Sequence, residues 1–273
     1  MLTMVEVIND RGENLALPIE DDASSYMVKD IDGLDPVKAT ITSSKFALLP
    51  GEQYQASRRG MRNILLKLGY QPDYALTSVS ELRKKLYNFL MPETEVTLAF
   101  YIDGSRYATI KGRVETFETA LFSRDPEVNS SILCFDPDFQ DVNVTVVDGA
   151  TTEGWDEYET KYESVMPTGG IFRMTLTRSL GSFILQNQTA SGEIQSTTVT
   201  HPFLEGDVVE IDSIPGGKRV TRIRSGVSTS ILYAIPPNAG WIVLQPGINS
   251  LRVSAEGVPI PFTFAYRTRY GGL

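Results

Sequence analysis

Residues 30–36 read DIDGLDP, three aspartates set around one glycine with a proline behind them. Calcium-binding loops alternate acidic residues about a glycine at their sharp turn, so a divalent cation is the first chemistry to test. An EF-hand loop runs on to a glutamate at its twelfth position. Here that position is Ile41, inside a run that reads as a strand, and no helical pattern flanks it. The competing reading is a tight turn: Gly33 permits a positive φ, and Pro36 restricts Asp35 to extended backbone. The turn is the more economical reading, and no metal site is expected.

Nucleophilic chemistry has little to work with. Cys134 ends the apolar run of SSILCFDPDF without an activating base, which makes it a buried structural thiol, and the one histidine, His201, precedes Pro202 in what reads as a surface turn or loop. One cysteine cannot close an internal disulfide, and one cysteine with one histidine is too few soft ligands for structural zinc. Paired carboxylates, the minimum for glycoside hydrolysis, occur as Asp136 with Asp138, Asp156 with Glu157 and Asp207 with Asp212. Acidic residues are common near strand ends, and sequence puts none of these pairs in a shared cleft. The stretch SRRGMRN could touch phosphate, yet it is short and lies in an acidic half, so a polar loop or a protein contact is expected. No catalytic group, no cofactor and no enzymatic activity are expected.

The chain around these residues has 273 positions, enough for two domains, and 41% apolar residues, enough for a core in each. It reads as globular and soluble. Its start lacks the charged and apolar runs of a secretory signal, and no later stretch approaches the roughly 20 apolar residues of a membrane helix, so no membrane insertion is expected. A net charge of −9 argues against wrapping duplex DNA. Residues 1–145 hold 22 acidic and 15 basic side chains (22 − 15 = 7, net −7); the remainder hold 12 and 10, net −2.

The two halves also differ in pattern. The first opens with a hairpin, MVEVI and ENLALPI about the turn residues 9–12, followed by the extended runs YMVKDI and VKATI with DIDGLDP between them. One helix is predicted in TSVSELRKKLYNFLMP. Ser78 and Glu81 have capping-box spacing, Val79, Leu82, Leu86, Phe89 and Leu90 share a face, and Pro92 stops the run. Strand candidates RNILLKLGY, EVTLAFYID, RYATIKGRVETFE and SSILCFD flank it, with Asp103 and Gly104 as a hairpin turn. Beyond about residue 145 only short strands and turn clusters remain. Ile260, Phe262, Phe264 and Tyr266 alternate cleanly with outward residues. The predicted fold is mainly β: an amino-terminal α+β/β-sandwich module with one amphipathic helix over residues 1–145, then a β-sandwich or jelly roll over 146–273. The acidic, aromatic segment VVDGATTEGWDEYETKYESV has no steady period and reads as a linker or excursion.

The ordered series YMVKDIDGLDPVKATI, GEQYQASRRGMRNILL, SELRKKLYNFLMPETEVTLAFYIDG, KGRVETFETALFS and SSILCFDPDF resembles the amino-terminal domain of the distal tail proteins of long non-contractile-tailed phages. GDVVEID, GWIVLQPGINSLRV and the closing YRTRYGGL resemble the carboxy-terminal domain common in that family; residues 148–163 match it poorly. The resemblance implies a hexameric ring that caps the tail tube and joins it to the tail-tip or baseplate hub and the receptor-binding proteins. It also implies a galectin-like second domain and a location at the virion tail tip, with assembly in the host cytoplasm. DNA would pass through the lumen without specific binding, and part of the acid excess would face that lumen or serve solubility alone. Ring formation is expected through the amino-terminal half, with Arg58, Arg59, Arg62 and Asn63 as candidate interface residues able to form charge-assisted hydrogen bonds. The alternative is a carbohydrate-binding module in which Trp155, Tyr158, Tyr162 and Trp241 stack on sugars; core or interface aromatics are the plainer reading.

Overall fold

A computed structural model describes every residue except 20, 22, 48, 49, 121–124 and 155. The chain forms two units, residues 1–142 with 270–273, and residues 143–269.

The first unit is built from β1 (Leu2–Asn9), β2 (Asn14–Pro18), β3 (Tyr26–Asp32), β4 (Ala39–Lys45), β5 (Glu52–Arg59), β6 (Arg62–Tyr70), α1 (Val79–Leu90), β7 (Glu95–Ile102), β8 (Ser105–Thr119), β9 (Glu127–Cys134) and β10 (Phe139–Asp141). Seven strands run in the order β2-β1-β7-β8-β9-β6-β3, and β10 pairs with β8. The opening hairpin β1–β2 is part of this sheet and buries Val5, Val7, Leu15 and Leu17. Asp103 and Gly104 both take positive φ (50° and 79°), the geometry of a two-residue hairpin turn, which sets the register of β7 on β8.

Helix α1 forms where its caps and spacing place it. The Ser78 side chain accepts from the Glu81 backbone amide at 3.3 Å, and Glu81 Oε2 accepts from the Ser78 amide at 2.8 Å. Leu82, Leu86, Phe89 and Leu90 are buried in the same core as β1, β6, β7 and β9, so the helix covers one face of the sheet. Val79 lies half-buried at that core's margin.

β4 and β5 stand apart. They pair only with each other, from Ala39↔Arg59 to Lys45↔Glu52, as a two-stranded sheet whose side chains are nearly all exposed. Ile41 and Tyr54 are among them, and Phe46, next after β4, is exposed as well. An isolated hairpin is marginal in water, so this one depends on how its root is held.

The second unit contains β11 (Thr145–Ala150), β12 (Tyr158–Tyr162), β13 (Thr168–Thr175), β14 (Leu180–Thr189), β15 (Ile194–Phe203), β16 (Val208–Asp212), β17 (Arg219–Arg224), β18 (Val227–Ser230), β19 (Val243–Leu244), β20 (Gly247–Ser254) and β21 (Pro261–Tyr266). One sheet runs β11-β21-β13-β16-β17-β18, with β19 on β13; the other runs β12-β20-β14-β15. A single core takes Phe172, Met174, Val209, Phe262 and Phe264 from the first sheet and Tyr162, Phe183, Leu185, Val199 and Leu251 from the second. The acidic segment expected as a linker is therefore sheet. β11 pairs with β21 and β12 with β20, each at a sheet edge, where only one neighbour constrains the pattern of alternation. The last strand, β22 (Arg269–Tyr270), brings Tyr270 back to the first unit. Among the described residues no helix is long and apolar enough to cross a membrane.

Candidate functional site

DIDGLDP forms the end of β3 and the start of the link to β4, at the root of the freestanding hairpin, and its carbonyls do meet a cation. That cation is Arg62. Nη1 donates to Gly33 O and to Asp35 O (2.7 Å), Nε to Pro137 O (2.7 Å) and Nη2 to Gly271 O (2.6 Å). The guanidinium carbon lies 4.4 Å from the centre of the Phe139 ring, and the residue is 1% exposed. Four backbone acceptors and an aromatic face use nearly all that a guanidinium offers. Burial draws its pKa below the usual arginine value. Gly33 is required here: its φ is +89°, and a Cβ would lie 2.0 Å from Asn63 O.

Arg59, at the end of β5, forms a two-pronged pair with the buried carboxylate of Asp138, Nη2 to Oδ2 at 2.9 Å, and this hydrogen bond raises the arginine's pKa. SRRGMRN is thus the end of one strand, the two residues Gly60 and Met61, and the start of the next, rather than a polar loop. Two of the four interface candidates, Arg59 and Arg62, spend their charge inside the unit. Asn63 is exposed on β6 and accepts from Ser131 Oγ at 2.9 Å. Arg58 is exposed on the hairpin. Beside it a groove of about 670 Å³ is lined by Thr40, Ala56, Arg58, Met61, Phe135 and Pro137, of which Met61 and Phe135 are exposed.

The aspartate side chains of DIDGLDP are exposed, and Asp30 Oδ1 accepts from the Ile31 amide. Among the described residues no three His, Cys, Asp or Glu side chains are placed to hold a metal ion. Asp30→Asn with Asp32→Asn should change stability by less than about 0.5 kcal/mol, and neither calcium nor a chelator should move the melting temperature. Calcium raising the Tm of the wild type but not of the double variant would restore the metal reading.

The remaining candidates are structural. Cys134 is fully buried and burial pushes its thiol up to about 12, so the thiolate a nucleophile needs is not formed near neutral pH. His201 lies in β15, not in a surface turn, and is buried beside the Phe203 ring. Arg222 Nη1 donates to its Nε2 at 3.3 Å, and burial, then the positive charges of Arg222 and Arg224, lower its pKa. Asp138 faces Arg59, as above, and Asp207 takes two hydrogen bonds of 2.7 Å from Arg224. Asp212 caps the Ile214 amide and lies 3.3 Å from Arg219; Asp156 accepts from Thr152 Oγ1. Of the sugar-stacking aromatics, Tyr162 is buried with its hydroxyl on Met166 O, and Tyr158 packs edge-on to Phe262. Trp241 is half-buried with Lys218 over its ring, and Trp155 lies outside the described residues.

No curated protein matches. Residues 163–270 match the family described as siphovirus-type tail component, C-terminal domain. The whole chain superposes on the SPP1 Dit (gp 19.1) protein, described as a paradigm of the hub adsorption apparatus in Gram-positive-infecting phages. That match has a TM-score of 0.71 at 16% identity and covers 97% of this chain and 99% of that one. A chain of the phage P2 baseplate in its activated conformation with Ca matches at TM-score 0.53 and 9% identity, covering 100% of both. A chain of the phage p2 baseplate in its activated conformation with Sr matches at 0.52 and 7%, covering 97% of this chain and 98% of that one. Residues 163–270 are thus similar to the C-terminal domain of siphovirus-type tail components, and 97% of the chain takes the fold of the SPP1 Dit protein.

Proposed function

We propose that the protein is a distal tail protein whose copies form a hexameric ring at the virion tail tip. The ring joins the tail tube to the tip and host-adhesion apparatus, and DNA passes its bore without specific binding. The first unit forms the ring. The second, read as a galectin-like β-sandwich from two sheets sharing one core, is peripheral.

The observation that carries this reading is the hairpin β4–β5, which is exposed on both faces yet built on a rigid root. Seven paired residues at about 3.3 Å each extend it roughly 20 Å from that root. Its tip and the groove at its base are different surfaces, and a contact between different surfaces repeats head to tail and closes into a ring when the rotation allows. The partner for one copy's hairpin is therefore the hairpin-root groove of the next. Arg58 and Tyr54 belong to this contact, while Arg59 and Arg62 hold the root. Asn63 lies next to that root and is retained as a contact residue.

Wild-type protein should have the solution mass of a closed oligomer. Tyr54→Glu with Arg58→Glu should reduce it to monomers with an unchanged melting temperature, because both side chains are exposed in the single chain. A double variant that still assembles would remove the hairpin from the interface.

A further inference from the structure

We propose that residues 270–273 are a latch that closes the hairpin root, so that the hairpin is held ready for a partner only in a chain translated past the whole of the second unit. The reading of the hairpin as the ring contact gives the latch its purpose, although the test below does not depend on it.

Each of the four residues has a fixed place in the first unit. Tyr270 stacks on Tyr107 with ring centres 5.2 Å apart and donates its hydroxyl to Asp141 Oδ2 at 2.5 Å. Gly271 O accepts from Arg62 Nη2 at 2.6 Å. Gly272 is so close to the DIDGLDP turn that a Cβ on it would lie 2.9 Å from Pro36 Cδ and 3.1 Å from Leu34 O. The Leu273 amide donates to Leu34 O at 3.0 Å, and its side chain packs against the core.

These contacts converge on the two roots of the hairpin. β4 starts at Ala39, just beyond Pro36, and β5 ends at Arg59, just before Arg62. Residues 270–273 touch Leu34, Pro36 and Arg62 directly. Without them Arg62 loses one of its four carbonyls in a site that already disfavours its charge, and the 34–36 segment loses its cover. None of these hydrogen bonds goes to β1, β7 or β8, whose share in the segment is the Tyr107 stack and packing of Tyr270 and Leu273 at the margin of the common core. The root should therefore loosen before the sheet does, which separates a latch from a general structural element.

The test compares full-length wild type with Gly272→Val and with a chain ended after Arg269, using hydrogen–deuterium exchange and limited trypsin digestion. We expect exchange in residues 33–38 and 59–62 to rise at least tenfold, and cleavage after Lys45 and Arg58 to accelerate, with β1 and β7 as protected as in wild type. Unchanged protection of the root in both variants would overturn the proposal. So would equal loss of protection in β1 and β7, which would make the segment part of the core rather than a latch. Solution mass supplies the link to assembly: both variants should be monomers where the wild type is an oligomer. A monomeric wild type would count against the ring, while the exchange data would still decide the latch.

Discussion

Arg62→Met is expected to destabilise the first unit by about 4 kcal/mol, among the larger effects a single substitution can have. Methionine matches the length of the arginine stem but offers no donor. The carbonyls of Gly33, Asp35, Pro137 and Gly271 then lose a charged partner in a place water reaches poorly. The cation over Phe139 is lost as well. Relief of the guanidinium's burial works in the opposite direction and is the reason the estimate stays below the sum of four charged hydrogen bonds. Arg62→Lys should recover only part, since an ammonium has three donors on one atom and cannot span four carbonyls. Chemical denaturation of the three proteins measures this. A loss below about 1 kcal/mol for methionine would mean the carbonyls find other partners.

Phe172→Ala should cost the second unit about 3–5 kcal/mol. Phe172 is fully buried on β13, and its ring lies 5.9 Å from Phe183 of the opposite sheet and 5.4 Å from Phe262 of its neighbouring strand. Removing it opens a cavity where both sheets contribute to one core. Calorimetry should show that this variant lowers one transition and Arg62→Met the other, because the two substitutions sit in separate cores. A single transition lowered equally by both would show that the two units melt as one.

What the sequence discloses depends on how strongly one face of an element is buried. The helix is fully legible, since its cap, its apolar stripe and its terminal proline agree with one another. β21 is legible because it is central in its sheet and buried on one side. β11 is not, because an edge strand with no buried residue need not alternate; β12 does alternate over Tyr158–Tyr162, but five residues beside an irregular stretch are too few to stand out. The role of Arg62 was hidden by its charge and its basic neighbours. A signal existed nonetheless: Arg62, Ile64, Leu66 and Leu68 fall on alternate positions of β6, so the arginine lies on the buried face of its strand. His201 carries the same mark, in step with Thr197, Val199 and Phe203. The four carbonyls around Arg62 could not be foreseen, because they come from three stretches of chain that only the folded unit brings together.

The second unit leaves the first after Val142 and rejoins it at Tyr270, so it is an insertion fastened at both ends. A domain hung on one linker is shed by one protease cut. Here the two junctions differ: a cut at Tyr270 leaves the second unit on the chain through Val142, whereas a cut after Val142 leaves it tied to the first unit by the docking of residues 270–273 alone. The grip of those four residues, and not a covalent bond, then decides whether the second unit stays. The same arrangement lets one module replace another of different sequence between the same two junctions without breaking any of the strands β1–β10.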